Sequence, residues 1–213
     1  MPFSSVIGAS SVIRPGVCTS TTRPTVPYEG QLIYETDTDR VAAYNGSAWD
    51  YTHSSGLVLI SSTTIGNAVS SVTVSDAFSS TYDNYRIIVS GGAGSTAGGL
   101  GIQMGATTTG YYYAVLRITY AGVATNTFGA NLANWRDVGG FNTGGLGLSA
   151  DIIAPNLAKN TFYFSNQVGN ETFSVAGAGG GYLANTTQYT AFSLITSTGT
   201  ITGGTIKVYG YKN

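Results

Sequence analysis

The sequence predicts an all-β chain: an extended N-terminal arm, a small three-strand β unit, then an antiparallel two-sheet β-sandwich of jelly-roll type. Three observations predict it. Charged residues make up only 9% of the 213 positions, against about 25% in ordinary globular domains, so exposed helices would lack the i,i+4 ion pairs that support them. β-Branched and aromatic side chains recur in short runs that alternate with polar ones, the period of a half-buried strand. Clusters of Gly, Asn, Asp and Ser break those runs at short intervals. The same apolar supply distinguishes the chain from a disordered one, which cannot bury enough surface to fold.

The arm spans Met1–Thr22 and is rich in Ser, Thr, Val and Ile, broken by Pro15-Gly16, without helical periodicity. The small unit follows over residues 23–55. Pro24 and Pro27 stiffen the approach, and Gln31 to Glu35 alternates polar and apolar residues as a first strand. Thr36-Asp37-Thr38-Asp39 reads as a turn, because short Asp and Thr side chains bond nearby backbone amides. Arg40 to Tyr44 is the returning strand. Asn45-Gly46 reverses the chain again through positive-φ geometry, and Ala48 to Thr52 is the third strand. Three short strands bury Leu32, Tyr34, Tyr44 and Trp49 only in part, so the unit requires a partner.

These residues carry a family resemblance. Cys18-Thr19-Ser20-Thr21-Thr22-Arg23-Pro24, then Tyr28-Glu29-Gly30-Gln31-Leu32-Ile33-Tyr34-Glu35-Thr36-Asp37-Thr38-Asp39-Arg40, then Tyr44-Asn45-Gly46-Ser47-Ala48-Trp49 resemble the N-terminal region of tailed-phage fibre, head-fibre and minor structural proteins. The resemblance covers the N-terminal part of the chain alone. It implies a non-enzymatic structural role, a place on the virion surface after synthesis in the host cytoplasm, and attachment to other virion proteins of capsid or tail. Arg23, Tyr34, Tyr44 and Trp49 are its attachment candidates, and a homotrimer is the assembly it implies.

His53-Ser54-Ser55-Gly56 reads as a linker, and the sandwich occupies residues 56–213. Its expected strands are Leu57 to Thr63, Val69 to Ser75, Tyr85 to Ser90, Leu100 to Met104, Tyr112 to Tyr120, Leu146 to Ile152, Thr161 to Ser165, Thr172 to Ala176, Thr190 to Thr196 and Thr205 to Tyr211. A succession of strands without intervening helices indicates two packed sheets. Ala121 to Gly144 lacks clear alternation and is the expected surface binding loop, carrying Trp135, Arg136 and Asp137. With Tyr111 and Tyr182, Trp135 and Arg136 form the candidate set for glycan or partner contact, since flat rings stack on sugar faces. The opposing reading assigns the tyrosines to core and interface packing.

Enzymatic chemistry finds little support. Gly92-Ala93-Gly94-Ser95-Thr96-Ala97 mimics a dinucleotide loop but is followed by no helix and no acidic residue at the required distance. Gly147-Leu148-Ser149-Ala150-Asp151 lacks the closing Gly of a nucleophile elbow, and His53 is the single histidine. The acidic residues form no pair of the glycosidase type. Asp37 and Asp39 fall short of a calcium loop, which needs further oxygen ligands and a terminal Glu. No cofactor and no metal are therefore expected. Asn45, Asn170 and Asn185 begin glycosylation sequons that read as turn chemistry.

A formal net charge of −1 removes the electrostatic case for nucleic-acid binding. Cys18, the single cysteine, offers no internal disulfide. Val6 to Val12 lacks a basic leader and is interrupted by Arg14, and Val17 precedes Cys18 where a lipobox needs a small residue. No run has the length of a membrane-spanning helix, so no membrane insertion is expected.

Overall fold

The computed structural model of the chain describes residues 15–52, 56–168 and 175–212. Residues 1–14 of the arm, the His53–Ser55 part of the linker and the start of the strand expected at Thr172 lie outside them, as does the Asn170 sequon. The chain divides into two compact units, Met1–Ser55 and Gly56–Asn213. The described residues form strands and no helix.

The first unit holds β1 (Gly16–Cys18), β2 (Leu32–Glu35), β3 (Arg40–Tyr44) and β4 (Trp49–Tyr51) in the order β1-β2-β3-β4. It is therefore a four-strand sheet, and the expectation of three strands is corrected. The added strand comes from the arm: Gly16 to Cys18 pairs parallel with Ile33 to Glu35. A parallel pair needs a crossover of about a dozen residues, which the Pro-rich segment between Cys18 and Leu32 provides. The expected partial burial holds for Tyr34, Tyr44 and Trp49 but not for Leu32, and the fully buried side chains are others. Ile33 and Glu35 point inward with Ala42, while Leu32 is exposed and Tyr34, Tyr44 and Trp49 are half-buried. The turns follow the sequence: Asn45 Oδ1 accepts from the Ser47 and Ala48 amides, and Gly46 has φ 92°.

The second unit contains β5 (Leu57–Thr64), β6 (Ser71–Val74), β7 (Asn84–Gly91), β8 (Ala93–Gly94), β9 (Gly98–Met104), β10 (Tyr111–Thr119) and β11 (Ala124–Leu132). It continues with β12 (Trp135–Asn142), β13 (Gly145–Ile153), β14 (Thr161–Val168), β15 (Val175–Leu183), β16 (Phe192–Thr196), β17 (Ile201–Thr202) and β18 (Thr205–Tyr211). Two antiparallel sheets form its body, β5-β18-β7-β13 and β6-β16-β9-β12. Chain order combined with these pairings is jelly-roll connectivity, in which β5, β6 and β7 alternate between sheets and β18 returns to lie between β5 and β7. The sheets join at one edge, where Gly140–Asn142 pairs with Gly145–Gly147 across the hairpin of β12 and β13.

The core lies between the sheets. Tyr85, Ile87, Val89, Ile206 and Val208 face Leu100, Ile102, Met104, Phe192 and Leu194, all fully or nearly fully buried. Their period-two spacing puts every second side chain inside, and burial of each contributes about 1.5–3 kcal/mol. The Tyr85 hydroxyl is satisfied at the rim, donating to the Ser79 carbonyl and accepting from its amide, both at 2.7 Å.

Two hairpins are inserted into this frame, β10–β11 between β9 and β12, and β14–β15 between β13 and β16. They pair as β14-β15-β10-β11 and continue the first sheet beyond β13. The inner face of this insertion sheet brings β10 and β14 over β12 and buries Tyr113, Val115 and Tyr163. Glycines of β15 permit the close approach: a Cβ at Gly181 would lie 2.1 Å from the Tyr112 carbonyl oxygen, and one at Gly177 the same distance from that of Leu116. The outer face is apolar. Leu116, Ile118, Phe128, Phe162, Phe164 and Tyr182 all point outward and are exposed.

Candidate functional site

A polar cleft of the jelly roll lies at a β-bulge. Trp135 pairs with Ile102 and Gly139 with Leu100, so β12 advances further than β9 and Arg136, Asp137 and Val138 bow out of register. Asp137 adopts φ 55°, a left-handed conformation that Asp tolerates better than most residues. Its carboxylate lies over Gly99, where a Cβ would come within 2.1 Å of Oδ1. Only glycine fits beneath it.

Behind the bulge, Arg117 Nη2 on β10 pairs with Asp137 Oδ2 at 2.9 Å, largely buried, and Arg117 also donates to Thr127 Oγ1 at 3.2 Å. The Asp137 charge is thus already met from inside. On the far side, Ser197 Oγ accepts the Gly99 amide at 2.9 Å. Between these walls lies a cleft of about 210 Å³ lined by Gly99, Gly101, Asn134, Arg136, Asp137, Ile195, Thr196 and Ser197. Arg136 is exposed at its rim and, among the described residues, forms no ion pair, so it brings a positive charge to the cleft. Such a site suits a small hydroxylated or anionic group.

The other candidate contact residues separate. Tyr111 and Trp135, expected at the surface, are fully buried, and this corrects their assignment. The Trp135 ring sits between Tyr111, edge-on at 5.3 Å, and Tyr163 at 4.8 Å, and its Nε1 donates to the Tyr182 carbonyl at 3.3 Å. Tyr111 accepts the Met104 amide at 2.7 Å and donates to the Thr107 carbonyl at 3.2 Å. Burial pushes the phenols of Tyr111 and Tyr163 well above the usual tyrosine range. Ala121 to Gly144 is not a loop but contains the whole of the strands β11 and β12.

Arg136 and Tyr182 do reach the surface, at different places. Tyr182 stacks on Tyr112 with centroids 4.9 Å apart and planes within 5°, at one end of the outer face of the insertion sheet. Sequence reasoning missed the other exposed apolar residues there, Leu116, Phe128 and Phe164. The alternation of Ala114, Leu116 and Ile118 against Tyr113, Val115 and Arg117 was the available signal, but it does not say which face is covered.

In the N-terminal unit, the attachment candidates serve largely internal roles. Arg23 Nε donates to the buried Glu35 carboxylate, which also accepts from Tyr51 at 2.9 Å and Thr38 at 3.0 Å. The Arg23 hydrogen bond is the main cause that holds Glu35 below the usual carboxylate range, outweighing burial. Tyr34 donates to Asp39 at 2.7 Å, and Tyr44 meets Trp49 at 5.4 Å in a tilted contact. Asp37 accepts from the amide and hydroxyl of Ser20. Asp37 and Asp39 therefore turn to separate partners.

Remaining motifs are accounted for by packing. Gly92 lies against the Gly203 carbonyl, where a Cβ would approach to 2.2 Å. Asp151 takes a two-pronged pair from Arg86 at 2.8 Å and a hydrogen bond from Tyr211 at 2.6 Å. Burial alone would raise its carboxyl, but these donors together hold it below its usual value. Among the described residues no cluster of three His, Cys, Asp or Glu side chains could hold a metal.

Comparison with known proteins gives no relative. No family model matches the chain, nor does any curated protein or solved structure. The jelly-roll assignment rests on strand connectivity alone.

Proposed function

We propose that this chain is a non-enzymatic structural protein of a tailed-phage virion, a short fibre or decoration protein. Its N-terminal unit mounts it on capsid or tail proteins, and its jelly roll is displayed at the virion surface, as a homotrimer. The observation that carries this reading is the outer face of the insertion sheet. A sheet face turned to water is ordinarily polar, whereas here Leu116, Phe128 and Phe164 are 70%, 77% and 59% exposed. Monomers seldom leave so extended an apolar surface uncovered, and assemblies bury it.

The thin core of the N-terminal unit, centred on Ile33 and Ala42, agrees with a unit that is completed by a partner. The resemblance of Cys18 to Trp49 to phage fibre N-termini supplies the virion context. Reconstruction of the whole particle tests the reading: a jelly roll of this connectivity at the virion surface is expected. Absence of the chain from purified particles would remove the proposal.

The cleft at Arg136 favours a second role on the same molecule, contact with a host-surface glycan. An Arg beside Asn, Ser and Thr hydrogen-bonding groups suits acidic or hydroxyl-rich sugars. Binding of the full chain to a host polysaccharide panel tests it, and absence of binding across the panel would remove it.

A further inference from the structure

We propose that the outer face of the insertion sheet is covered by a second copy of this chain, with β10 of one copy packed on β15 of the next. The inference rests on the assembly reading above and assigns the surface and the register of contact.

Charge is the first argument. At the outward positions of β14, β15, β10 and β11 with described side chains, no Asp, Glu, Lys or Arg occurs, and the polar side chains are Asn126, Asn166, Tyr112 and Tyr182, with Asn131 at the bulge opposite Tyr112. A partner steered by charge complementarity would find nothing to read here. An identical uncharged face would meet it without burying an unpaired charge.

Shape is the second argument. On β10 the outward residues include Leu116 and Ile118, and their cross-strand partners on β15 are Ala178 and Ala176; Ala114 stands opposite Gly180. The face is therefore a ridge along β10 beside a trough along β15. Consider a symmetry axis parallel to the strands. Rotation about it turns Leu116 and Ile118 of one copy towards Ala178 and Ala176 of its neighbour, so large residues meet small ones in these two rows, as packed layers require, while Tyr112 meets Tyr182 and Phe128 meets Phe164. The same operation brings Asn126 on one outer strand towards Asn166 on the other, since both lie in the row of Leu116 and Ala178. Two-fold and three-fold axes both satisfy this contact.

Area is the third. Four strands at ~4.8 Å spacing and about eight residues at ~3.3 Å rise span roughly 500 Å² per copy. Two such faces reach the ~1,000 Å² that a specific interface needs.

The test uses the full chain in a Cys18→Ser background. Leu116→Cys and Ala178→Cys chains are co-expressed and treated with a short bis-maleimide, because facing sheets ~10 Å apart exceed the reach of a disulfide. A cross-link between the two variants several-fold above that of either variant alone is expected. Leu116→Glu is expected to reduce the wild-type mass to the 22.0 kDa of one chain with unchanged far-ultraviolet dichroism. A trimer that cross-links supports both this contact and the trimeric reading. A dimer that cross-links supports the contact and removes the trimer. An oligomer that does not cross-link, or whose mass survives Leu116→Glu, overturns this contact and leaves assembly standing. A monomeric wild-type chain overturns the contact outright.

Discussion

Leu116 on β10 lies directly opposite Ala178 on β15, and both face outward from the jelly roll, the larger of them 70% exposed. This inversion of the usual pattern, apolar outside over a partly polar inside, is the centre of the functional reading. The inner side of the same sheet carries Arg117, Thr161 and Ser165 as well as Tyr163 and Val115. The insertion sheet thus has two covered faces in prospect, one filled by the chain itself.

The buried tyrosines make the first prediction. Tyr111→Phe leaves the Met104 amide without the acceptor it now has at 2.7 Å and is expected to cost about 1–3 kcal/mol. Tyr163→Phe removes a buried hydroxyl that has no hydrogen-bond partner among the described residues, and is expected to change stability by less than about 1 kcal/mol or to raise it. Urea unfolding of the two variants checks the contrast.

The glycines of β15 make the second. Gly181→Ala places a Cβ against the Tyr112 carbonyl and is expected to lower stability by about 1–3 kcal/mol through overpacking. Gly147→Ala meets nothing within 4 Å and is expected to be neutral or slightly stabilising, since Ala loses less backbone freedom on folding. Denaturation midpoints measured side by side separate them.

Acid sensitivity of the N-terminal unit is the third. The Glu35 carboxyl is held low chiefly by the Arg23 hydrogen bond, so its folded value lies below its unfolded one. Its contribution is complete above the ordinary carboxylate range of about 4 and is lost as pH falls through the depressed folded value. Asp37, lowered mainly by the Ser20 hydroxyl, acts in the same direction. The chain has two tryptophans, Trp49 in the first unit and Trp135 in the second, so their indole N–H resonances report separately. On acidification the Trp49 resonance is expected to leave its native position before that of Trp135.

The cleft makes the fourth. Arg136→Ala, at an exposed position, is expected to leave the denaturation midpoint unchanged while lowering retention on an acidic host polysaccharide at least several-fold. Equal retention of wild type and variant would remove the glycan role from this cleft.

Much of the fold was legible from period-two patterns. The segment Thr205 to Tyr211 alternates Ile206 and Val208 with Lys207 and Tyr209, and it forms β18 with those bounds. Strands β11 and β12 were not legible. Their outward positions hold Ala and Asn as well as Phe128, and β12 is buried on both sides and broken by the bulge at Arg136, so no alternation survives. Trp135 was misjudged for the same reason: Gly- and Asn-rich surroundings that suggest a loop here allow close strand packing. The N-terminal unit showed its turns but not β1, because a parallel partner from the arm leaves no local signature. Residue type singled out Arg136 and Tyr182, which are exposed, whereas the outer face emerged only once β10 and β15 were known to be neighbours.

The mass of the full chain at micromolar concentration, measured by multi-angle light scattering, tests the central claim most directly. A self-associated species at three times 22.0 kDa is the expected result. A single species at 22.0 kDa would contradict it, because the apolar face of β10 and β15 would then stand open to water with no copy of the chain to cover it.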